Sequence, residues 1–265
     1  MTTKKQELEV KKATELAENQ LLDEYAGEGF ENEDHDSGAI PRLKILQKSS
    51  PEVDEDSGDY IKGAKAGMVI NTVTKRIYDT KKGCIVVVPC YYEKLFNEWI
   101  PIQEGGGFVD SYGAAEGNKL IEDLERDERG VPITEDGHEI RDTREHYFLV
   151  IDEGNYEPVV SSFTSTKIKK SKAWWTNMKM ARLPGHPLKV PAMFAFSYEM
   201  RTVVETKDQY TYFNWDIKKA QPVLEIDPTG GIIQVAKAFK DAIVSGVKKA
   251  VPEQDVVAPT EDEEF

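Results

Sequence analysis

Between Ser165 and Leu183 the chain mixes two chemistries that a purely structural helix keeps apart. At about 100° per residue, Lys167, Lys170 and Trp174 share one flank of a predicted helix. Ile168, Lys172, Trp175 and Lys179 share another. Lysine ammoniums neutralise phosphates, and an indole offers a face on which a nucleobase stacks for about 1–3 kcal/mol. An amphipathic helix ordinarily separates bases from apolar side chains, so the mixture points to a nucleic-acid strand. One of the two tryptophans is expected in the core, with lysine stems lying over it. The segments 192–205 and 209–217 form a second surface, where Phe194, Phe196 and Tyr198 alternate, as do Tyr210 and Tyr212, with Phe213 and Trp215 one register off. One face of that hairpin must be core. The other presents aromatics as β-barrel nucleic-acid binders do, with Arg201, Lys207, Lys218 and Lys219 around it. Tyr91, Tyr92, Phe96 and Trp99, with Lys94, form a similar cluster. The residues expected to bind a strand are Lys167, Lys170, Lys172, Trp174, Trp175, Lys179, Arg201, Tyr212 and Lys218.

Catalytic signals are thin. His35, His138, His146 and His186 are scattered without metal-ligand spacing, and no phosphate loop, nucleophile elbow or dinucleotide fingerprint occurs. Gly105–Gly107 has no helix start with Lys-Ser/Thr behind it. The acids Glu122, Asp123, Glu135, Asp136 and Glu139 could hold Mg²⁺ in a nuclease, but they lie among arginines in a polar stretch that reads as solvated surface. The expectation is a non-enzyme with no metal and no cofactor; the alternatives are a metal-dependent nuclease and a structural or assembly protein.

Several elements must position these residues. The pattern turns to strand at 68–78, Cys84–Tyr92, Leu95–Ile100, His146–Ile151 and Glu157–Phe163, and again at Ala192–Glu205 and Gln209–Ile217, with Thr206–Asp208 as the turn. Cys84 and Cys90 fall on one face of a strand, roughly 20 Å apart at ~3.3 Å per residue, and read as two buried thiols of a reducing cytosol. Residues 110–145 form a polar insertion with a short helix near Lys119–Arg126. A last helix runs from Pro228 to about Lys249, with Asp227 as N-cap and an apolar face of Ile232, Val235, Ala236, Phe239 and Ile243. These elements describe a mainly β, α+β chain: an OB-fold-like five-stranded barrel with a helix between strands, a polar insertion and a C-terminal helix. The expected divisions are 1–36, acidic and weakly helical (Leu8, Ala13, Leu16, Ala17, Leu21) or disordered; 37–227, the barrel domain; 228–250, the helix; and 251–265, a tail.

The formal net charge of −14 argues at first against a polyanion partner. The charge is segregated, however. Residues 1–36 carry four Lys against eleven Asp/Glu, and 253–265 carry six acids and no base, whereas 157–220 carry eleven Lys/Arg against five Asp/Glu. The tail ends Glu261, Asp262, Glu263, Glu264, Phe265, a like-charge block that stays solvated and serves as an interaction tail. No apolar leader and no run of membrane-spanning length is present, so a soluble intracellular protein is expected.

With that tail, the basic-aromatic elements and the absence of a catalytic set, the chain resembles the single-stranded DNA-binding proteins of tailed bacteriophages. The segments IPRLKILQ (40–47), VVPCYYEKLFNEWIP (87–101) with GGGF (105–108), and FTSTKIKKSKAWW (163–175) are similar to those of such phage early-region proteins. The resemblance implies an OB-fold DNA groove and a role in phage replication, recombination and repair in the host cytoplasm. It also implies that Glu261, Asp262, Glu263, Glu264 and Phe265 dock on a polymerase, helicase or primase. Only the tail carries over residue by residue.

Overall fold

A computed structural model describes residues 24–25, 28–31, 37–152, 154–207, 210–248, 250 and 252. The apolar stripe expected at Leu8–Leu21 and the tail from 253 onward lie outside the described residues. The chain divides into two compact units, Met1–Gly38 and Ala39–Phe265. In the first, Glu28 N donates to Tyr25 O and Gly29 N to Glu31 Oε1.

The second unit is mainly β. Strands β1 (Leu43–Ile45), β2 (Val69–Asn71) and β3 (Ile77–Tyr78) make a small antiparallel sheet. The large sheet contains β4 (Ile85–Ile100), β5 (Gly107–Gly113), β6 (Glu125–Arg126), β7 (Pro132–Ile133), β8 (Glu139–Asp152), β9 (Asn155–Thr164), β10 (Phe196–Lys207) and β11 (Tyr210–Pro222). Helix α1 (Ala114–Leu120) follows β5, α2 (Ile168–Met180) joins β9 to β10, and α3 (Val223–Ile226) and α4 (Gly231–Val244) follow β11. The central pair is β4 and β8, antiparallel from Val86–Ile151 to Trp99–Glu139. On the free side of β4, one end pairs with β10 and the other with β5.

The large sheet curls into a half-barrel. Its concave face buries Ile85 and Val87 of β4, Phe148 and Val150 of β8, Val159 and Phe163 of β9, Tyr198 and Met200 of β10, and Trp215 of β11, with Trp174 and Met178 of α2 packed among them. On the convex face Val88, Leu149 and Val160 meet Ile232, Ala236 and Phe239 of α4. The small sheet bridges the two edges of the curl. Val160 N donates to Pro41 O on the β9 side, and on the β11 side the Gln47 amide both donates to Phe213 O and accepts from Phe213 N, standing in for a paired strand. Gly67 closes that seam. Its φ is +87°, and a Cβ there would fall 2.4 Å from the Phe213 ring, so only glycine fits.

Several boundaries differ from the sequence reading. The strands expected at Cys84–Tyr92 and Leu95–Ile100 are one 16-residue strand, β4. It continues past Pro89 because its register against β8 skips one residue, with Pro89 opposite Phe148 but Tyr91 opposite Tyr147. Cys90 is that extra, bulged residue. It is buried, and burial pushes its thiol up to about 12, while Cys84 precedes the strand and is only half-buried. The two thiols are therefore not a matched buried pair. Residues 68–78 split into β2 and β3, since Lys75 takes φ +59° and turns the chain. The helix of the insertion comes early, as α1, and residues 139–145 are half of β8 rather than loop. Helix α4 starts three residues after the expected Pro228. Asp227 still caps it, through a turn: its carboxylate accepts from Thr229 N at 3.0 Å and from Ile232 N at 2.8 Å.

Candidate nucleic-acid interface

The bulge at Cys90 decides what the concave face carries. Before it, odd-numbered residues of β4 point inward; after it, the inward series is Tyr92, Lys94 and Phe96. These stand opposite His146, Arg144 and Asp142 of β8, which continue the inward series of Val150 and Phe148 without interruption. Along the sheet, the concave face thus passes from apolar core to a polar, basic floor. Helix α1 lies along one side, brought close by Gly117, whose Cβ would sit 2.2 Å from the Phe96 ring. Helix α2 lies along the other, with Trp175 packed at 5.5 Å and 49° from the Tyr92 ring.

The floor is hydrogen-bonded and net positive. Arg144 donates from Nη1 to the Tyr92 hydroxyl at 3.0 Å and from Nη2 to Asp142 at 3.2 Å. Lys94 Nζ lies 2.9 Å from Asn118 Oδ1 of α1, 4.0 Å from the Asp142 carboxylate and 4.3 Å from the Phe96 centroid. Lys172 and Lys179 stand exposed on α2, and the Lys179 ammonium sits 4.6 Å over the Trp175 ring. Burial, then the charges of Arg144 and Lys172, pull the Lys94 ammonium below its ordinary range against the opposing pull of Asp142. An anion bound here would relieve that crowding of cations.

Beneath the floor is an apolar stack. His146 lies 4.6 Å from Trp174 at 19°, 5.0 Å from Tyr92 and 4.7 Å from Phe163, with Nε2 2.8 Å from the Ser171 hydroxyl. Burial, with help from Arg144, lowers its pKa from 6.5 to about 3. The folded chain therefore holds this imidazole neutral, whereas the unfolded chain protonates it below pH 6.5, so its contribution to stability is present above that pH and is lost as pH falls towards 3. Urea midpoints taken at pH 7.5 and 5.5 are expected to show about 1 kcal/mol lost to this group, and His146→Phe with Ser171→Ala should lose that part of the pH dependence.

The expected strand-binding residues do not form one surface. Lys172, Trp175 and Lys179 come together and meet Tyr92, Lys94 and Arg144. Trp174 is a correction: it is 1 % exposed, enclosed by His146, Phe148, Phe163 and Tyr198, and has no free face for a base. Lys167 and Lys170 turn to the other flank of the helix. Lys167 lines a small cavity with Arg42, Ser161, Ser162 and Trp215. Lys170 pairs with Glu205 at 2.5 Å, and against the burial that would raise it, this bond and one from Asn214 hold the Glu205 carboxyl low. Tyr212 is the cross-strand partner of that same Glu205. Arg201 and Lys218 lie on the outer face of the β10–β11 hairpin, Arg201 paired with Glu199 and Lys218 with Asp216 at 3.2 and 3.3 Å. Cross-strand register sets Glu199 against Lys218 and Arg201 against Asp216, so this patch is electrically balanced.

Arg144 and Asp142 were hidden to the sequence reading inside the polar insertion. The signal that could have found them is alternation: Asp142, Arg144 and His146 keep step with Phe148 and Val150. Among the acids considered for Mg²⁺, Glu139 is buried between Arg129 and Arg141, whose charges and hydrogen bonds hold it low although burial alone would raise it. Among the described residues no three His, Cys, Asp or Glu side chains gather as a metal site, and no helix is long and apolar enough to cross a membrane.

No curated protein and no solved structure matches the chain. The family model of the Pam3 phage gp34-like protein matches residues 10–249, nearly the whole sequence. The chain belongs to this family, and it is a bacteriophage protein.

Proposed function

We propose that the protein binds single-stranded DNA without strong sequence preference and acts in phage replication, recombination and repair in the host cytoplasm. One observation carries this reading: Trp175 and Tyr92 form an aromatic platform amid Lys94, Arg144, Lys172 and Lys179, with Asp142 as the carboxylate on the floor. Bases stack on such a platform and phosphates follow the cations. The order β11-β10-β4-β8-β9, with α2 between β9 and β10 filling the concavity, supports an OB-like barrel, five-stranded and partly open. No chemistry on the strand is part of the reading.

A gel-shift titration with end-labelled oligo-dT in Mg²⁺ tests it. The expected result is a retarded, intact strand; a strand cut by the pure protein would favour the nuclease alternative, and no retardation would favour an assembly role. Three to four phosphate contacts along the basic floor predict a slope of about −2 to −3 in log affinity against log salt, and a slope near zero would remove the phosphates from the account. The tail Glu261–Phe265 is the proposed contact for a replication enzyme such as polymerase, helicase or primase. Phe265→Ala is expected to leave the gel shift unchanged while abolishing co-purification with that enzyme; equal co-purification by the variant would remove Phe265 from the role.

A further inference from the structure

We infer that the loop following α2 extends the strand path beyond Trp175, with Leu188 set to meet base faces; the inference rests on the single-strand reading. From Pro158 to Tyr198 the sequence has no Asp or Glu and seven Lys/Arg. Within this stretch Met180, Leu188 and Val190 are 71 %, 94 % and 56 % exposed. They alternate with cations: Lys179, Arg182 and Lys189 flank them in sequence.

The loop is built rather than slack. Leu183 packs against the concave core. Arg182 donates from Nη1 to Lys179 O and Ala181 O, both at 2.7 Å, and from Nε to Pro187 O at 3.1 Å, clasping the loop to the C-terminal end of α2. His186 N closes a turn on Leu183 O at 3.0 Å, and Pro184, Pro187 and Pro191 restrict the backbone between. Leu188 is held out by this bracing, and with Met180 and Val190 it leaves three apolar side chains in water within eleven residues that carry no acid.

A partner for it must offer anions and apolar faces at close spacing. Single-stranded DNA does so with every nucleotide, and Lys179, which covers Trp175, stands in the last turn of α2, directly before the loop. An anionic membrane has the same two chemistries, but Met180 at the end of α2 and Leu188 and Val190 on the loop give it little area to bury, and the sequence continuity with Trp175 favours the strand.

A tryptophan placed at the loop tests this. In a Trp175→Phe background, the emission gained through Leu188→Trp is expected to be quenched by 20-nucleotide oligo-dT. The same substitution at Leu224 of α3, which is 54 % exposed, should give emission that does not respond. Leu188→Ser should weaken oligo-dT binding roughly tenfold, the equivalent of failing to bury part of one leucine. An unresponsive Leu188→Trp at saturating oligo-dT, while wild-type Trp175 is quenched, would overturn the loop's role and leave single-strand binding at Trp175 intact. A response to vesicles of phosphatidylglycerol and not to oligo-dT would overturn it in favour of a membrane. If wild-type Trp175 is silent as well, both readings fall.

Discussion

Replacing Arg42 with alanine is expected to destabilise the fold by about 3–5 kcal/mol, because it leaves a carboxylate buried without its cation. Arg42 and Glu145 have side chains 8 % and 3 % exposed. Arg42 Nη1 lies 3.2 Å from both Glu145 oxygens and also reaches the Ser162 hydroxyl, which itself donates to Glu145 at 3.1 Å. The pair joins the residue before β1 to β8 and β9, across one of the two seams by which the small sheet bridges the curl. Urea denaturation followed by circular dichroism measures the loss. Arg42→Met with Glu145→Met should recover most of it, since a well-packed apolar pair replaces a buried ion pair at little cost. A loss below about 1 kcal/mol for Arg42→Ala would mean that Glu145 gains water in the folded state.

Trp175→Ala is expected to weaken binding to oligo-dT by roughly 5- to 150-fold, the equivalent of ~1–3 kcal/mol for one base–aromatic stack. Trp175 is half-buried, tilted against Tyr92 and with the Lys179 ammonium over its ring, so a base stacking on that face displaces Lys179. Trp174→Ala serves as the contrast. It removes a fully enclosed indole from the core and is expected to cost stability rather than strand contacts. Affinity by fluorescence anisotropy of a labelled oligonucleotide, on variants whose folding is checked by thermal melt, separates the two effects. Unchanged affinity for a folded Trp175→Ala chain would remove this side chain from the site.

The residues of α2 show how far the sequence could be read. Its lysine–tryptophan mixture was visible and placed a positive aromatic helix between two strands, although the helix ends at Met180, three residues before the expected Leu183, where Ala181 turns extended. Two indoles about 100° apart each shared a flank with lysines, so nothing local said which would be buried. That choice belongs to His146, Phe163 and Tyr198, which come from three strands and enclose Trp174 alone. Equally, Tyr92 and Lys94 were noticed as a cluster, but their facing depends on the extra residue at Cys90. A bulge inverts the period-2 pattern without any composition signal of its own. The pairing of Arg201 with Glu199 and Lys218 with Asp216 was readable only in part. The residues are two apart, yet the balance of the patch comes from the cross-strand register. In α4 the Asp227 cap was legible and its geometry was not, because the turn through Thr229 and Gly230 delays the helix by three residues.

The proposed stacking of a single strand on Trp175 is read directly by the protein's own fluorescence. Of the four tryptophans, Trp99, Trp174 and Trp215 are 4 %, 1 % and 1 % exposed, so a stacked base reaches Trp175 and not the others. Titrating the wild-type chain with oligo-dT is predicted to quench its emission saturably, and Trp175→Phe to lose most of that quench. Emission that stays constant while oligo-dT passes micromolar concentration, or a quench retained in full by Trp175→Phe, would contradict the account.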